Sequence, residues 1–177
     1  MKKILYTIVI LGGVGGFFLF STPGLDTLKR LPDGHKEATW APFMYYNIAR
    51  LHASMGRQEK AAEIYEQMLD MYDTNPGRKS KATFVDNKVS RHYMPYALFR
   101  LAVCKEKMAD TEYNLYTSNH GQGNEKDANE NLALSLTHYD EAKRLYQEFV
   151  NNFNDNALYS DANRRLNELR VKTENGQ

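Results

Sequence analysis

The chain has 177 residues, of which 42% are hydrophobic, and this suits one modest domain with an appended segment. Its 23 basic and 22 acidic side chains give a formal net charge of +1, so no overall field favours nucleic acid or a strongly acidic partner. One cysteine permits no internal disulfide and does not identify the redox compartment.

The N-terminal segment is the most apolar part of the chain. Residues 4–20 carry no charge and are followed by a Ser-Thr-Pro-Gly breaker. This length is short for a spanning helix and long for a signal-peptide core. A cleavage site before Thr22 would place Leu19 where a small residue is preferred, so a retained transmembrane anchor over 1–22 is favoured. A cleaved signal and a soluble core helix remain the alternatives.

Two features of the anchor bear on its orientation and packing. Lys2 and Lys3 directly precede the apolar run, which favours a cytoplasmic N-terminus and an exported, periplasmic or equivalent, C-terminal domain. Gly12 and Gly16 have the small-xxx-small spacing that lets another membrane helix approach closely; the alternative is that they only loosen a signal core. No cysteine follows the run, so a lipoprotein anchor is excluded.

A linker is expected between the anchor and the folded domain. Residues 23–39 contain two prolines, two glycines and mixed charge without sustained periodicity. A helix is then predicted from about 41 to 55, with Thr39 as the capping hydroxyl and Pro42 in the first turn. The folded domain is predicted to span 40–172, and 173–177 to form a flexible tail.

Residues 44–76 have the pattern of a helical hairpin. Two apolar stripes at helical spacing flank a single break at Gly56, and a second helix is predicted to stop near 74. Each stripe needs another surface to bury it, so further hairpins must stack on this one. The first stripe contains Tyr45, Ile48, Ala49, His52 and Met55, and the second contains Ala61, Tyr65, Met68, Leu69 and Tyr72.

The register of this hairpin resembles a tetratricopeptide repeat. Tyr45 takes the first large position, Ile48-Ala49 the Leu-Gly position, Gly56 the turn, and Ala61 the close-packing alanine. His52 stands where the pattern has an aromatic residue. The resemblance implies an all-α solenoid of about five helices, namely two hairpins and a capping helix, preceded by the transmembrane helix.

A second hairpin is predicted further along the chain. A basic connector over 77–90 is a solvated loop, or alternatively a contact for anionic lipid or an acidic partner. A helix over about 90–110 places Cys104 on its apolar side as a core thiol. Residues 111–126 are interpreted as an irregular insertion, either a variable loop or a binding loop.

The last two helices complete this unit. A long helix from about 127 carries an apolar stripe, in which Ala142 and Tyr146 repeat the step of Ala61 and Tyr65, and a polar-backed capping helix covers about 157–172. The stripe contains Leu132, Leu136, Tyr139, Ala142, Tyr146, Phe149 and Phe153.

The pairing of a long aromatic-rich helix, an Asn/Asp turn and an Ala-x-x-Arg-Leu helix is similar to the repeats of BamD-type outer-membrane assembly lipoproteins and their periplasmic relatives. The resemblance covers roughly 40–172. It implies a solenoid without a catalytic role that holds partners at a membrane.

No catalytic, cofactor or metal motif is apparent in the sequence. The five histidines are scattered without an i, i+4 pair, and no nucleophile set or phosphate loop is found. The prediction is therefore a membrane-anchored docking subunit that binds protein partners, not an enzyme, with an exported soluble binding protein as the alternative. On the repeat register the partner-binding groove contains Phe43, Tyr46, Asn47, Arg50, Ser54 and Arg100.

Overall fold

A computed structural model describes residues 22–72 and 88–174 of the chain. In these ranges it contains six helices and no strand, one helix more than the five expected after the anchor. Each helix packs on the next along the chain, and α2 also contacts α4. The helices are α1 (Thr22–Gly34), α2 (Ala41–Ser54), α3 (Gln58–Tyr72), α4 (Lys88–Gly121), α5 (Glu125–Asn152) and α6 (Tyr159–Glu174).

The first hairpin, α2 and α3, confirms the predicted apolar stripes. All the predicted core positions of α3 are fully buried, and in α2 only Met55, just past the helix end, is half-exposed. Ala49 and Ala61 have no exposed surface, which is the close approach of two helices that small residues permit. The hairpin therefore has its whole inner side in the common core.

The turn of this hairpin depends on Gly56. Its φ of 78° lies in the left-handed region that favours glycine. The Arg57 N–H donates to the His52 carbonyl at 3.0 Å, and the Gly56 N–H donates to the Ala53 carbonyl at 3.1 Å, so two of the last carbonyls of α2 are satisfied there. At the other end of α2, the expectation for Thr39 is wrong, because Trp40 is the N-cap and makes no side-chain capping bond.

Helix α1 replaces the irregular linker expected over 23–39. Leu25 is fully buried and Leu28 packs against the same core, so the segment is part of the solenoid. The Asp33 carboxylate accepts hydrogen bonds from the Tyr45 hydroxyl at 2.6 Å and from Gln67 at 3.2 Å, which fastens α1 to both helices of the hairpin. Pro23 lies in the first turn, where a missing N–H costs no helical hydrogen bond, and Pro32 lies inside the helix two residues before its end.

The expected insertion over 111–126 is also wrong, because α4 continues as a helix to Gly121. The Thr111 and Thr117 hydroxyls donate to the carbonyls four residues earlier, so these residues do not compete with the helix for its backbone bonds. The rings of Tyr116 and His120 are stacked with centroids 5.8 Å apart. The connection to α5 is a tight turn centred on Gly123, which has a φ of 76°.

The second hairpin, α4 and α5, makes the most extensive helix contact in the described chain. Cys104 is buried as predicted, and on α5 Tyr139, Ala142, Tyr146 and Phe149 are buried. The prediction for Leu136 is wrong, because 38% of it is exposed where α5 extends towards the hairpin tip. Helix α6 covers the outer side through Ala162, Leu166 and Leu169, as expected for a capping helix.

The predicted membrane segment precedes Thr22, the first residue that the structure describes. None of the helices within 22–72 and 88–174 combines the length and the apolar character needed to cross a membrane. The apolar run 4–20, with Gly12 and Gly16, lies outside the described residues, as do the connector positions 77–87.

Candidate protein-binding surface

The candidate surface lies where the first helices of the two hairpins meet. Helices α2 and α4 are in direct contact, although α3 separates them along the chain. On α2 the exposed residues follow the side opposite the core, at helical spacing from Phe43 to Arg50 and Ser54, and Arg100 is exposed on α4. Neighbouring repeats present their first helices to partners in this way.

Aromatic rings form the centre of this surface. The Tyr46 ring lies 6.0 Å from the buried Tyr65 ring and 5.7 Å from that of Tyr93 on α4. Phe43, 47% exposed, is 6.0 Å from Tyr93 in an edge-on arrangement. The rings thus join α2, α3 and α4 and still leave apolar surface available, which is the composition typical of interface anchors.

Two arginines flank the aromatic centre. Burial raises the pKa of the Tyr65 hydroxyl, whereas Arg100 and Arg50 act on it in the opposite direction, which places both guanidinium groups within electrostatic range of the same phenol. Both arginines are exposed. The Tyr65 hydroxyl is buried without a hydrogen-bond partner in the described part of the chain. Exposed guanidinium groups beside aromatic rings can donate paired hydrogen bonds to carboxylates or peptide carbonyls.

Asn47 and Ser54 lie on the same side of α2 but are partly committed to their own helix. The Asn47 amide donates to the Phe43 carbonyl, and the Ser54 hydroxyl donates to the Leu51 carbonyl, each at 2.8 Å. Of the six predicted positions, Phe43 and Tyr46 are joined to Tyr65 and Tyr93 by ring contacts, and Arg50 and Arg100 are within electrostatic range of Tyr65.

Tyr93 is the residue of this surface that the sequence did not single out. It is half-exposed on α4 and contacts both aromatic residues of α2. The available signal was spacing, since Tyr93 lies seven residues, about two turns, before Arg100 and so shares its side of α4.

Neither a reactive thiol nor a metal-binding group is found among the described residues. Burial raises the pKa of the Cys104 thiol to about 11, so it is protonated at neutral pH and unreactive. No group of three His, Cys, Asp or Glu side chains within 22–72 and 88–174 is placed to hold a metal ion.

Comparison with known proteins agrees with this geometry. The tetratricopeptide-repeat family pattern matches residues 44–75 and 96–155, more than half of the chain. The chain belongs to this family. Tetratricopeptide-repeat proteins are typically non-enzymatic scaffolds that bind other proteins. The second matched stretch of this tetratricopeptide-repeat protein exceeds the usual repeat of about 34 residues because α4 and α5 are extended. No curated protein and no solved structure matches the chain.

Proposed function

We propose that this tetratricopeptide-repeat protein is a docking subunit held at a membrane by residues 4–20, with its repeat domain on the extracytoplasmic side. The observation that carries the docking role is the exposed aromatic and arginine surface on α2 and α4, in a family whose repeats bind proteins. The anchor is supported by the uncharged run itself. Assembly of a larger envelope complex is the context suggested by the BamD-type resemblance.

The partner is a protein segment that offers an apolar side chain to the rings and an acceptor group to Arg50 and Arg100. Tyr46 and Phe43 provide the apolar contact, and hydrogen bonds from the two guanidinium groups set the orientation of the bound segment. A helix or an extended peptide fits such a surface because neither requires an enclosed cavity.

The docking role is tested by charge reversal of the two arginines. Tagged protein is purified from native membranes after cross-linking, and the co-purifying proteins are measured by mass spectrometry. The double variant Arg50→Glu, Arg100→Glu should lower partner recovery at least tenfold (about 1.4 kcal/mol), because both groups are interface anchors. Helicity should be unchanged, since both side chains are exposed. Tyr46→Ala is a less specific test, because Tyr46 also packs on Tyr65 and its loss would change the packing as well as the binding surface.

The matched control is Arg144→Glu, an exposed arginine on α5 outside this surface. Its partner recovery should equal that of the unmodified protein. Full recovery with the double variant would refute the docking surface.

The anchor is tested separately by the intact mass of the protein in membranes. A cleaved signal would remove the first twenty or so residues and favour the exported soluble alternative.

A further inference from the structure

The second hairpin extends well past the first one. The Ser135 hydroxyl donates to the Ala109 carbonyl at 2.9 Å, so these two residues mark the same height on α5 and α4. Between them lies the tip, residues 110–134, in which Ala128 is the one buried residue. Helices gain most of their stability by burying a face against other elements. A tip this exposed is therefore expected to pack on a surface that the described part of the chain does not supply.

Two leucines of the tip are exposed on the side that faces the first hairpin. Leu115, 46% exposed, follows Met108 by seven residues, or about two turns, and Met108 lies across a cavity from the turn of the first hairpin. Leu134, 43% exposed, precedes Glu141 by seven residues, and Glu141 is linked through Lys105 to α3. Both leucines thus continue, beyond the end of the first hairpin, the stripes on which that hairpin packs.

The cavity between the turn of the first hairpin and α4 is polar. It measures about 430 Å³ and is lined by residues 56–60 of the turn and by Met108, Thr111 and Glu112 of α4. The two basic residues of its lining are balanced by Glu59 and Glu112, so no net charge of the lining selects an ion. An uncharged polar group therefore suits this cavity.

Two residues of the cavity lining carry buried polar atoms that have no partner in the described part of the chain. Gln58 Nε2 donates to the Ala53 carbonyl at 3.0 Å, which orients the amide and leaves its Oε1 without a donor. Nη1 of Arg57 is likewise buried without an acceptor. A donor and an acceptor on neighbouring residues are the complement of an amide group, which presents a C=O and an N–H together. Because unpaired buried polar atoms are costly, an amide that pairs with them would be bound favourably.

The length of the tip matches the distance to this cavity in a second copy of the chain. Gln122, at the turn of the tip, follows Met108 by fourteen residues, or about 21 Å along the helix, and Leu115 lies midway. When two tips face each other in opposite directions, a two-fold axis at Leu115 brings Gln122 of each copy to the height of Met108 of the other. The turn of the tip carries the exposed amides of Gln122 and Asn124, which match the unpaired atoms of the cavity lining.

We infer that two copies of this chain associate through their tips, which pack side by side in opposite directions with Leu115 at the two-fold axis. The opposite direction is required because the first hairpins stand on the same side as Leu115 and would collide if the tips pointed the same way. The overlap is about 21 Å long and two helices wide, so the dimer is small and reversible. It uses no residue of the proposed docking surface and does not depend on the membrane anchor.

Cysteine cross-linking tests the position of the axis. Leu115→Cys places two thiols at the axis, within the Cα separation of roughly 4.4–6.8 Å that a disulfide needs. The purified full chain in mild detergent is oxidised with copper phenanthroline. Leu115→Cys should form covalent dimers at least about tenfold faster than Leu134→Cys or Val171→Cys, which are exposed but lie away from the axis. The native Cys104 is buried and does not contribute.

The amide contact is tested in the Leu115→Cys background. Arg57→Met should slow the cross-linking about fivefold, because the amide of the tip loses a hydrogen-bond donor. The control Arg144→Met, at an exposed site on α5 outside the tip, should leave the rate unchanged. An unchanged rate with Arg57→Met would overturn the amide contact.

Three results would overturn the tip-to-tip dimer itself. They are the absence of a covalent dimer with Leu115→Cys, equal rates at all three cysteine positions, and cross-linking of Leu115→Cys only to a different protein after a membrane extract is added. In the last case the side of the tip that carries Leu115 would be an interface with another protein.

Discussion

His52 is a buried polar residue on the apolar stripe of α2. It has no exposed surface, and neither ring nitrogen has a hydrogen-bond partner in the described part of the chain. Burial lowers its pKa, and the nearby Arg57 acts in the same direction. The ring is therefore neutral in the folded protein. In the repeat pattern this position is aromatic, so an apolar side chain is compatible with the fold.

We predict that His52→Leu stabilises the protein by about 1 kcal/mol at neutral pH, because an unpaired buried polar group is removed and its volume is nearly kept. Urea unfolding followed by circular dichroism measures the change in the free energy of unfolding. His92→Leu, at an exposed site on α4, is the control and should be neutral. A destabilised His52→Leu variant would show that the imidazole is paired in solution.

The same substitution should remove a pH dependence. The unfolded chain binds a proton at His52 near its ordinary pKa of about 6.5, whereas the folded chain binds it only at lower pH. The stability of the unmodified protein therefore falls as the pH decreases below about 6.5. The advantage of His52→Leu should accordingly be larger at about pH 5.5 than at about pH 7.5. An equal advantage at both values would contradict a buried neutral His52.

At the scale of the helices, the two hairpin turns are built in the same way. Gly123 has the positive φ of Gly56, and the Asn124 N–H donates to the Asn119 carbonyl at 2.9 Å, as the Arg57 N–H does to His52. The two hairpins are thus repeats at their turns as well as in their cores. The second turn was hidden in the sequence by polar residues and a second glycine, Gly121, which were interpreted as an insertion.

Gly123→Ala should destabilise the protein by about 1 kcal/mol, because alanine is strained at a φ of 76° although no atom lies near enough to clash with it. Gly121→Ala is the matched control. It also meets open space, but its backbone is helical, so it should be neutral or stabilising by about 0.5 kcal/mol. Thermal unfolding and amide exchange of residues 113–130 measure both effects. Equal behaviour of the two variants would contradict the turn described for Gly123.

The elements that the sequence predicted well are those with an apolar stripe on every turn. Ala61 and Tyr65 in α3, and Ala142 and Tyr146 in α5, are buried as expected because burying such a stripe dominates the energy of a helix. Helix α1 was missed because it contributes mainly two leucines to the core and because Asp33 bonds to a tyrosine twelve residues further along the chain. Of the candidate surface, the two arginines are predicted by register, whereas Tyr93 needed the contact between α2 and α4.

At the scale of the whole molecule, both outer helices are fastened by carboxylates that accept hydrogen bonds from core tyrosines. At the N-terminal end Tyr45 donates to Asp33 of α1. At the C-terminal end the buried Tyr146 donates to Glu106 at 2.8 Å, and Arg165 of α6 donates to the same carboxylate at 2.9 Å. A solenoid has open ends, so the packing of its terminal helices limits its stability.

Glu106 is therefore predicted to control the attachment of α6. Glu106→Ala removes the carboxylate that accepts hydrogen bonds from the buried Tyr146 hydroxyl and from the partly buried Arg165. The substitution should destabilise the protein by about 2 kcal/mol. Amide exchange should show the loss first in residues 159–174, because α6 is held mainly by α5 and this pair. Glu106→Gln, which retains an acceptor, should lose less.

The control is Glu168→Ala, which removes an exposed ion pair with Arg164 on the outer side of α6 and should have no measurable effect. If Glu106→Ala were as mild as this control, the apolar contacts of Ala162, Leu166 and Leu169, together with the Lys172–Asp110 ion pair, would hold α6 without Glu106. If Glu106→Ala lowered the amide protection of α3 as strongly as that of α6, the two hairpins would unfold as one cooperative unit rather than from the open end. The exchange pattern along the chain distinguishes these cases, since each predicts a different set of helices that lose protection together.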